Sequence, residues 1–384
     1  MSKEARKKNF KFSSKMISPQ SGSSEEVYQL QVLLSRYGFF SGVFNPGVYD
    51  DLTKNAVSQF QSYYRIYPEN DGYCDEETTK LLNQPRCGIA DKSHIHRGAD
   101  GRLAPYVTVG AKWPNNNLTY KYLNSTPDLS VDRQREINNE AFQKWAEICA
   151  LEFQHEQDNQ NTDITIAFHR GSHGDGSPFD DQGGPDGNTL AHAFFPPPLG
   201  GQWAGSLHFD EYELWKDQAG GQGIRLYNVA LHEIGHLLGL SHSQDANAIM
   251  YAYYSEDRNN LRADDIAGAQ FLYGAAVSAP VAISPGQKVN GYLPQKDSMI
   301  SYQVTLQNKL LVKLEGPQGE DFDLYVRFNE PVDEDLEKEL YDSVSYGITA
   351  DELITIEDPK AGTYYILVHS YEGSGSYTLE LEVV

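Results

Sequence analysis

This sequence predicts an α+β protein in three parts: a small all-α unit, a central domain of mixed strands and helices, and a terminal β-sandwich. Three observations carry that expectation. Apolar residues recur at helical spacing within residues 24–84. Strand-like and helix-like stretches alternate over 106–275, and short alternating stretches between turn residues fill 280–384. At 384 residues the chain has room for two or three domains, each with its own core.

In the first part, Val27, Leu30, Val32, Leu33, Leu34 and Tyr37 follow helical spacing until Gly38 and Gly42 interrupt it. A second helix is predicted from Asp51 to Tyr64, capped at Asp50 or Asp51. The preceding residues, 1–23, begin MSKEARKKNFKFSSKM and read as a disordered basic tail. They lack the apolar run of about 7–15 residues that a signal peptide needs. The expectations are therefore export by another route, a start elsewhere in the gene, or work inside the cell.

The central part opens on a strand at Leu118–Leu123, followed by a helix from Val131 to Cys149 that aligns Ile137, Ala141, Phe142, Trp145 and Ile148. A strand is predicted at Asp163–His169, a helix at Tyr227–Leu240, and a last helix at Arg262–Tyr273 that Gly274 ends. In the third part, Met299–Leu306, Leu310–Leu314, Phe322–Phe328 and Thr363–His369 read as strands of a sandwich. The acidic stretch Asp333–Glu339 reads as a solvated loop.

The stretch His232–His242, HEIGHLLGLSH, concentrates the chemistry. His232 and His236 stand four apart, so a helix projects both from one face, where they can share a metal ion. Glu233 adjoins the first, placed to polarise a water at that metal. Gly239 lets the chain leave the helix and turn back, which brings His242 round as a third nitrogen ligand. Three protein ligands leave one tetrahedral position open, and that openness separates a catalytic zinc from a structural one.

Composition narrows the partners. A formal net charge of -23 argues against nucleic acid and against anionic membrane surfaces. No apolar run approaches the ~18 residues of a membrane-spanning helix. The three cysteines, Cys74, Cys87 and Cys149, make no disulfide framework, and whether Cys74 meets Cys149 stays open.

Ala248, Ile249, Met250 and Tyr251 follow the histidines, and Ser243 comes directly after the third. The whole run resembles the matrixins, the matrix metalloproteinase branch of the metzincins. The likeness implies a twisted mixed sheet with helices, a Met-turn at Met250 beneath the zinc, and a cleft whose edge strand pairs with extended peptide. Pro85-Arg86-Cys87-Gly88-Ile89-Ala90-Asp91 resembles the matrixin cysteine switch. It implies a latent form in which the Cys87 thiolate fills the fourth zinc position, with Arg86 and Asp91 paired to shape the loop. Ala90 departs from the proline usual there, which implies a less rigid loop.

The segment from Asp163 to Glu213 continues the resemblance. His173, Asp175, His192 and His208 are, in this order, the residue types with which the family holds a structural zinc. The likeness also implies a calcium site from Asp180, Asp210 and Glu213, joined by carbonyls of Asp181, Gly187 and Thr189 in a loop longer than the family's. Asp163 matches a ligand of a second calcium, although Ser206 replaces the aspartate expected beside it.

The flanking parts have resemblances of their own. Leu52-Thr53-Lys54-Asn55-Ala56-Val57, Phe60-Gln61, Asp71-Gly72-Tyr73 and Glu77-Thr78 resemble a peptidoglycan-binding-like domain, the three-helix unit that forms the matrixin propeptide. Joined to the switch, residues 24–84 read as an inhibitory pro-domain, with a working wall-binding module as the alternative. Residues 85–105 then hold the switch and the linker cut on activation, ahead of the zinc metallopeptidase domain at 106–275. Asp321-Phe322-Asp323-Leu324-Tyr325-Val326, Ala361-Gly362-Thr363-Tyr364-Tyr365 and Gly375-Ser376-Tyr377-Thr378-Leu379 resemble the bacterial pre-peptidase C-terminal domain, over 280–384.

These likenesses imply a secreted, monomeric zinc metalloendopeptidase, made as a latent zymogen, with Zn2+ and Ca2+ as cofactors. Its partners would be protein or peptide substrates, with contact to cell wall or extracellular matrix. Two other readings stand beside it: a wall- or polysaccharide-binding protein with a structural metal centre, and a zinc hydrolase of wall peptides.

Overall fold

Each of the first three helices is opened by a side-chain cap. Ser23 caps α1 (Ser24–Arg36) in a reciprocal box with Glu26, Asp50 caps α2 (Asp51–Tyr64), and Asp75 caps α3 (Glu76–Leu82). A cap of this kind stabilises its helix by about 1 kcal/mol. Leu30, Leu34, Val57 and Phe60 join the helices in one core, to which Phe12 and Ile17 also belong. The computed structural model describes residues 12–13, 16–40, 42–91, 108–179, 189–276, 280–293, 296–306, 310–333 and 336–383.

The predicted tail therefore needs correction. Ile17 exchanges backbone hydrogen bonds of 2.8 and 3.0 Å with Cys74, and the Asn83 side chain holds the Phe12 backbone at 2.8 and 3.1 Å. The polar composition of this stretch hid two apolar side chains that find buried places. Residues 1–11 lie outside the described part.

The central sheet has the order β2-β1-β3-β5-β4. It is built from β1 (Asn117–Tyr122), β2 (Glu152–His155), β3 (Ile164–His169), β4 (Ala191–Ala193) and β5 (Ser206–Asp210). All neighbours are parallel except β4, which runs antiparallel to β5 at one edge. This is the mixed sheet expected for an α+β domain. A small parallel pair, β6 (Trp215–Lys216) and β7 (Ile224–Arg225), precedes α5 (Leu226–Leu237), and α6 (Ala263–Tyr273) closes the domain. Helix α4 (Val131–Ala146) stops before the predicted Cys149 and packs on α5, where fully buried Trp145 donates Nε1–H to Leu231 O at 3.0 Å.

Helix α5 also ends earlier than predicted, at Leu237. Gly239 follows with φ +97°, and a Cβ there would lie 2.2 Å from Ala111 O, so only glycine fits the turn that sends the chain back. Cys74 and Cys149 are free and belong to separate cores, that of the three helices and that of the central domain.

The chain divides into two units, Met1–Ala276 and Val277–Val384. The second contains β8 (Val281–Ala282), β9 (Lys288–Leu293), β10 (Met299–Leu306), β11 (Leu310–Glu315), β12 (Asp321–Phe328), β13 (Ser343–Ser345), β14 (Glu352–Ile356), β15 (Gly362–Glu372) and β16 (Gly375–Val383). These form a five-stranded sheet, β13-β12-β15-β10-β8, and a four-stranded sheet, β14-β11-β16-β9. Leu324, Val326 and Ile366 of the first meet Val312, Leu314 and Leu379 of the second in one core, as a sandwich requires. Part of the acidic stretch is not a plain solvated loop. It makes a single 3-10 turn at Leu336–Lys338, with Leu336 packed against Tyr325 and Leu367. Among the described residues no helix is long and apolar enough to cross a membrane.

Candidate active site and metal centres

Helix α5 carries His232 and His236 on one face, and the turn at Gly239 returns His242 to them. The three Nε2 atoms converge: His236 stands 3.1 Å from His232 and 3.2 Å from His242. Cys87 Sγ lies 3.4 Å from His236 Nε2, and all four groups are buried. A tetrahedral zinc with nitrogen ligands at 2.0–2.1 Å separates those nitrogens by about 3.4 Å, so the donor set fits such an ion. Burial pushes His232 and His236 well below the ordinary imidazole range, which keeps both neutral with a lone pair to offer. Burial, then Glu233, raises the Cys87 thiol. A divalent cation at the centre would reverse that, because coordination deprotonates a thiol.

Each imidazole is oriented through its other nitrogen. His232 Nδ1 meets Ile249 O at 2.7 Å, His236 Nδ1 meets Leu240 O at 2.8 Å, and His242 Nδ1 meets Asp91 Oδ1 at 2.8 Å. Met250 lies beneath α5, close against Gly235. Its turn is pinned by Asp265, which accepts from Ile249 N at 2.9 Å and Met250 N at 3.0 Å. Phe195 sets its edge against His236, ring centroids 5.6 Å apart.

The segment 85–88 is bridged by backbone hydrogen bonds on two sides. On one side Leu190 N donates to Arg86 O at 2.9 Å and Gly88 N to Ala191 O at 2.8 Å. On the other, Cys87 N donates to Ala252 O at 2.9 Å and Tyr254 N to Pro85 O at 2.8 Å. Arg86 and Asp91 pair at 2.8 Å with almost no exposure, and the guanidinium lies 3.5 Å over the Tyr37 ring and 4.9 Å from that of Tyr253. Burial opposes the Asp91 charge, but Arg86 and His242 outweigh it and hold the carboxyl at about 2. The predicted linker is described as far as Asp91. Residues 92–107 lie outside the described residues.

Glu233 is fully buried, and neither of its carboxylate oxygens has a hydrogen-bond partner among the described residues. Burial pushes its carboxyl up to about 8, against a smaller lowering by the neighbouring Cys87 thiol. Beside it a cavity runs along α5, lined by Leu190, Val229, Ile249, Tyr251 and Arg258. A buried carboxyl facing a cavity and three convergent imidazoles is equipped to move a proton.

A second cluster forms where β4 and β5 pair His192 directly with His208. Asp175 Oδ2 lies 2.7 Å from His173 Nε2, 2.7 Å from His192 Nε2 and 2.9 Å from His208 Nδ1. One carboxylate oxygen facing three nitrogens is a closed four-ligand set, the kind that suits a structural zinc. Of the expected calcium ligands, buried Asp210 and Glu213 share the turn after β5, where Glu213 N donates to Asp210 O at 3.2 Å. Thr189 is buried in a bridge to Arg86. Asp180, Asp181 and Gly187 lie outside the described residues. Asp163, expected at a second calcium, accepts at Oδ2 from both the backbone and the hydroxyl of Thr119 at 2.8 Å.

Sequence reasoning overlooked Asp265, the backbone groups of Leu190, Ala191, Ala252 and Tyr254, and the bond from Asp91 to His242. Only the acidic pair Asp264-Asp265 at the start of α6 carried a local signal, that of a helix N-terminus.

Comparison with known proteins agrees with this geometry. Residues 112–274 match the matrixin family, 23–82 a peptidoglycan binding domain, and 301–370 the bacterial pre-peptidase C-terminal domain. Matrix metalloproteinase-16 of Mus musculus is 34% identical over 276 residues, 68% of this chain and 44% of the relative. Interstitial collagenase of Bos taurus is 39% identical over 237 residues, 61% of this chain and 46% of the relative. Karilysin of Tannerella forsythia is 42% identical over 182 residues, 46% of this chain and 37% of the relative. The chain spans less than half the length of each of these relatives.

Proposed function

We propose, for a chain whose residues 112–274 belong to the matrixin family, the hydrolysis of internal peptide bonds by a zinc-dependent endopeptidase made in latent form. The observation that carries this is the convergence of three imidazoles beside the buried Glu233. The family's cofactors are zinc, catalytic and structural, and calcium. The His173, Asp175, His192 and His208 set fits the structural zinc, and Asp210 with Glu213 supports the calcium site.

Zinc, when bound by His232, His236 and His242, supplies a Lewis acid that polarises the scissile carbonyl and makes water more acidic. Glu233 takes the proton from the attacking water and passes it to the leaving amine. A dication beside Glu233 would favour its ionised form, the form that accepts that proton. Leu190 N, Ala191 O, Ala252 O and Tyr254 N, which hold segment 85–88, are the groups that an extended substrate would take over. Cys87 and a substrate therefore compete for one place, and the three-helix unit acts as an inhibitory pro-domain. Secretion and contact with cell wall, for which the peptidoglycan binding match speaks, complete the reading.

The test is cleavage of a quenched peptide by the full-length protein, before and after a thiol-reactive mercurial, with chelator controls. Chelator-sensitive activity that appears only after treatment is the expected result. Activity from the start would keep the peptidase and dismiss the Cys87 latency. No activity under any treatment, with zinc bound, would overturn the peptidase reading in favour of a wall-binding protein.

A further inference from the structure

Two of the three imidazoles at the α5 centre are oriented by carbonyls of their own domain, those of Ile249 and Leu240. The third is oriented from the N-terminal segment. His242 Nδ1 lies 2.8 Å from Asp91 Oδ1, and neither side chain is exposed. Asp91 is itself held on several sides: Arg86 Nη2 donates to Oδ1 at 2.8 Å, while Arg86 Nη1 at 3.1 Å and the Tyr64 hydroxyl at 2.8 Å donate to Oδ2. Its backbone N–H also donates to Tyr37 O at 3.1 Å. One carboxylate thus joins the folded N-terminal unit to a metal-ligating ring.

We propose that Asp91 is a positioning residue for the metal centre: it orients His242 and strengthens it as a donor, so the N-terminal segment tightens zinc binding independently of Cys87. This rests on the matrixin reading of the centre. An imidazole that donates Nδ1–H to an ionised carboxylate must present its Nε2 lone pair, and that lone pair is more basic than one backed by a neutral carbonyl. His232 and His236 have only the neutral kind of partner. When segment 85–91 leaves the cleft, the centre loses an anionic outer partner as well as the thiolate. The latent form is then the form that captures zinc best, and release of the segment leaves the ion more weakly held.

The experiment uses the full chain with Cys87→Ser, so that the thiolate plays no part. Zinc affinity is measured by chelator competition, and the visible spectrum of the cobalt-loaded protein is recorded. Adding Asp91→Ala is expected to lower zinc affinity by about 10–100-fold and to shift the cobalt bands, with Asp91→Asn falling between. Thermal unfolding of the metal-free variants separates positioning from folding, because weaker positioning lowers zinc affinity without loss of the fold. Unchanged zinc affinity with Asp91→Ala would overturn the proposal, as would a loss of affinity matched by unfolding of the metal-free variant. A Cys87→Ser protein that takes up no zinc would overturn the peptidase reading too, whereas retained zinc of unchanged affinity would overturn this inference alone.

Discussion

A Cβ on Gly235 would come to rest 2.3 Å from Met250 Sδ, so α5 and the turn beneath it touch with no room for one more carbon. Trp145 Cζ2 stands 3.1 Å from the same point and crowds it from a second side. Gly235→Ala gains about 1 kcal/mol of helix propensity. Overpacking of this severity costs about 1–3 kcal/mol or more and displaces the ligand helix. The net expectation is lower stability and reduced zinc content, read by denaturant unfolding and metal analysis. A variant as stable as the parent, with full zinc, would contradict it.

Glu233 trades stability for chemistry. Its carboxylate is buried with no hydrogen-bond partner among the described residues, and such burial costs free energy. Glu233→Ala should therefore retain zinc and unfold at the same or a higher temperature. Turnover of a peptide by the activated protein should fall by about 10²–10⁴-fold. Turnover near that of the parent would remove Glu233 from the mechanism.

Asp175 is the shared partner of three imidazoles at the second centre. Asp175→Ala should lower the zinc content from two ions to one and reduce thermal stability, while the His232 centre keeps its ion. Metal analysis and a melting curve read both effects. Two zinc ions retained in the variant would show that the cluster is a hydrogen-bonded network only.

Part of the lining of the cavity beside the active site comes from a loop that Asn228 pins. Its Nδ2 donates to the carbonyls of Ser255, Glu256 and Arg258 at 3.1, 2.8 and 2.8 Å, four residues along α5 from His232, or about 6 Å. Arg258 donates to the carbonyls of Ala246 and Tyr253 and lies 5.1 Å over the Tyr251 ring. Arg258→Ala should deepen the pocket. The ratio of kcat/KM for a long over a short side chain after the scissile bond should then rise by about tenfold or more. An unchanged ratio across a peptide series would mean that another residue limits the pocket.

Local patterns were legible along the chain. His232 and His236 declared themselves because a helix repeats every 3.6 residues. Gly239 did so because a turn there tolerates no side chain. Met299–Leu306 appears in the sandwich within its predicted limits, since a half-buried strand alternates over its whole length. Strand β4, only Ala191–Ala193, was too short to show any period. The burial of Phe12 and Ile17 within the predicted tail escaped notice for a related reason, because two apolar residues among polar ones carry no pattern.

The sequence alone determined which residue types stand ready: three histidines and a glutamate whose spacing implies metal chemistry, and a cysteine that a family resemblance singled out. Only the tertiary structure decided what each one faces. Cys87 and His236 are 149 residues apart, Asp91 and His242 are 151 apart, and no local periodicity reaches across such distances. It also directed the Asp163 carboxylate to Thr119 and laid segment 85–88 between Leu190 and Ala252. The physical reason is that backbone propensity and amphipathic spacing act over a few residues. Burial and hydrogen bonding between distant segments are settled when the cores close.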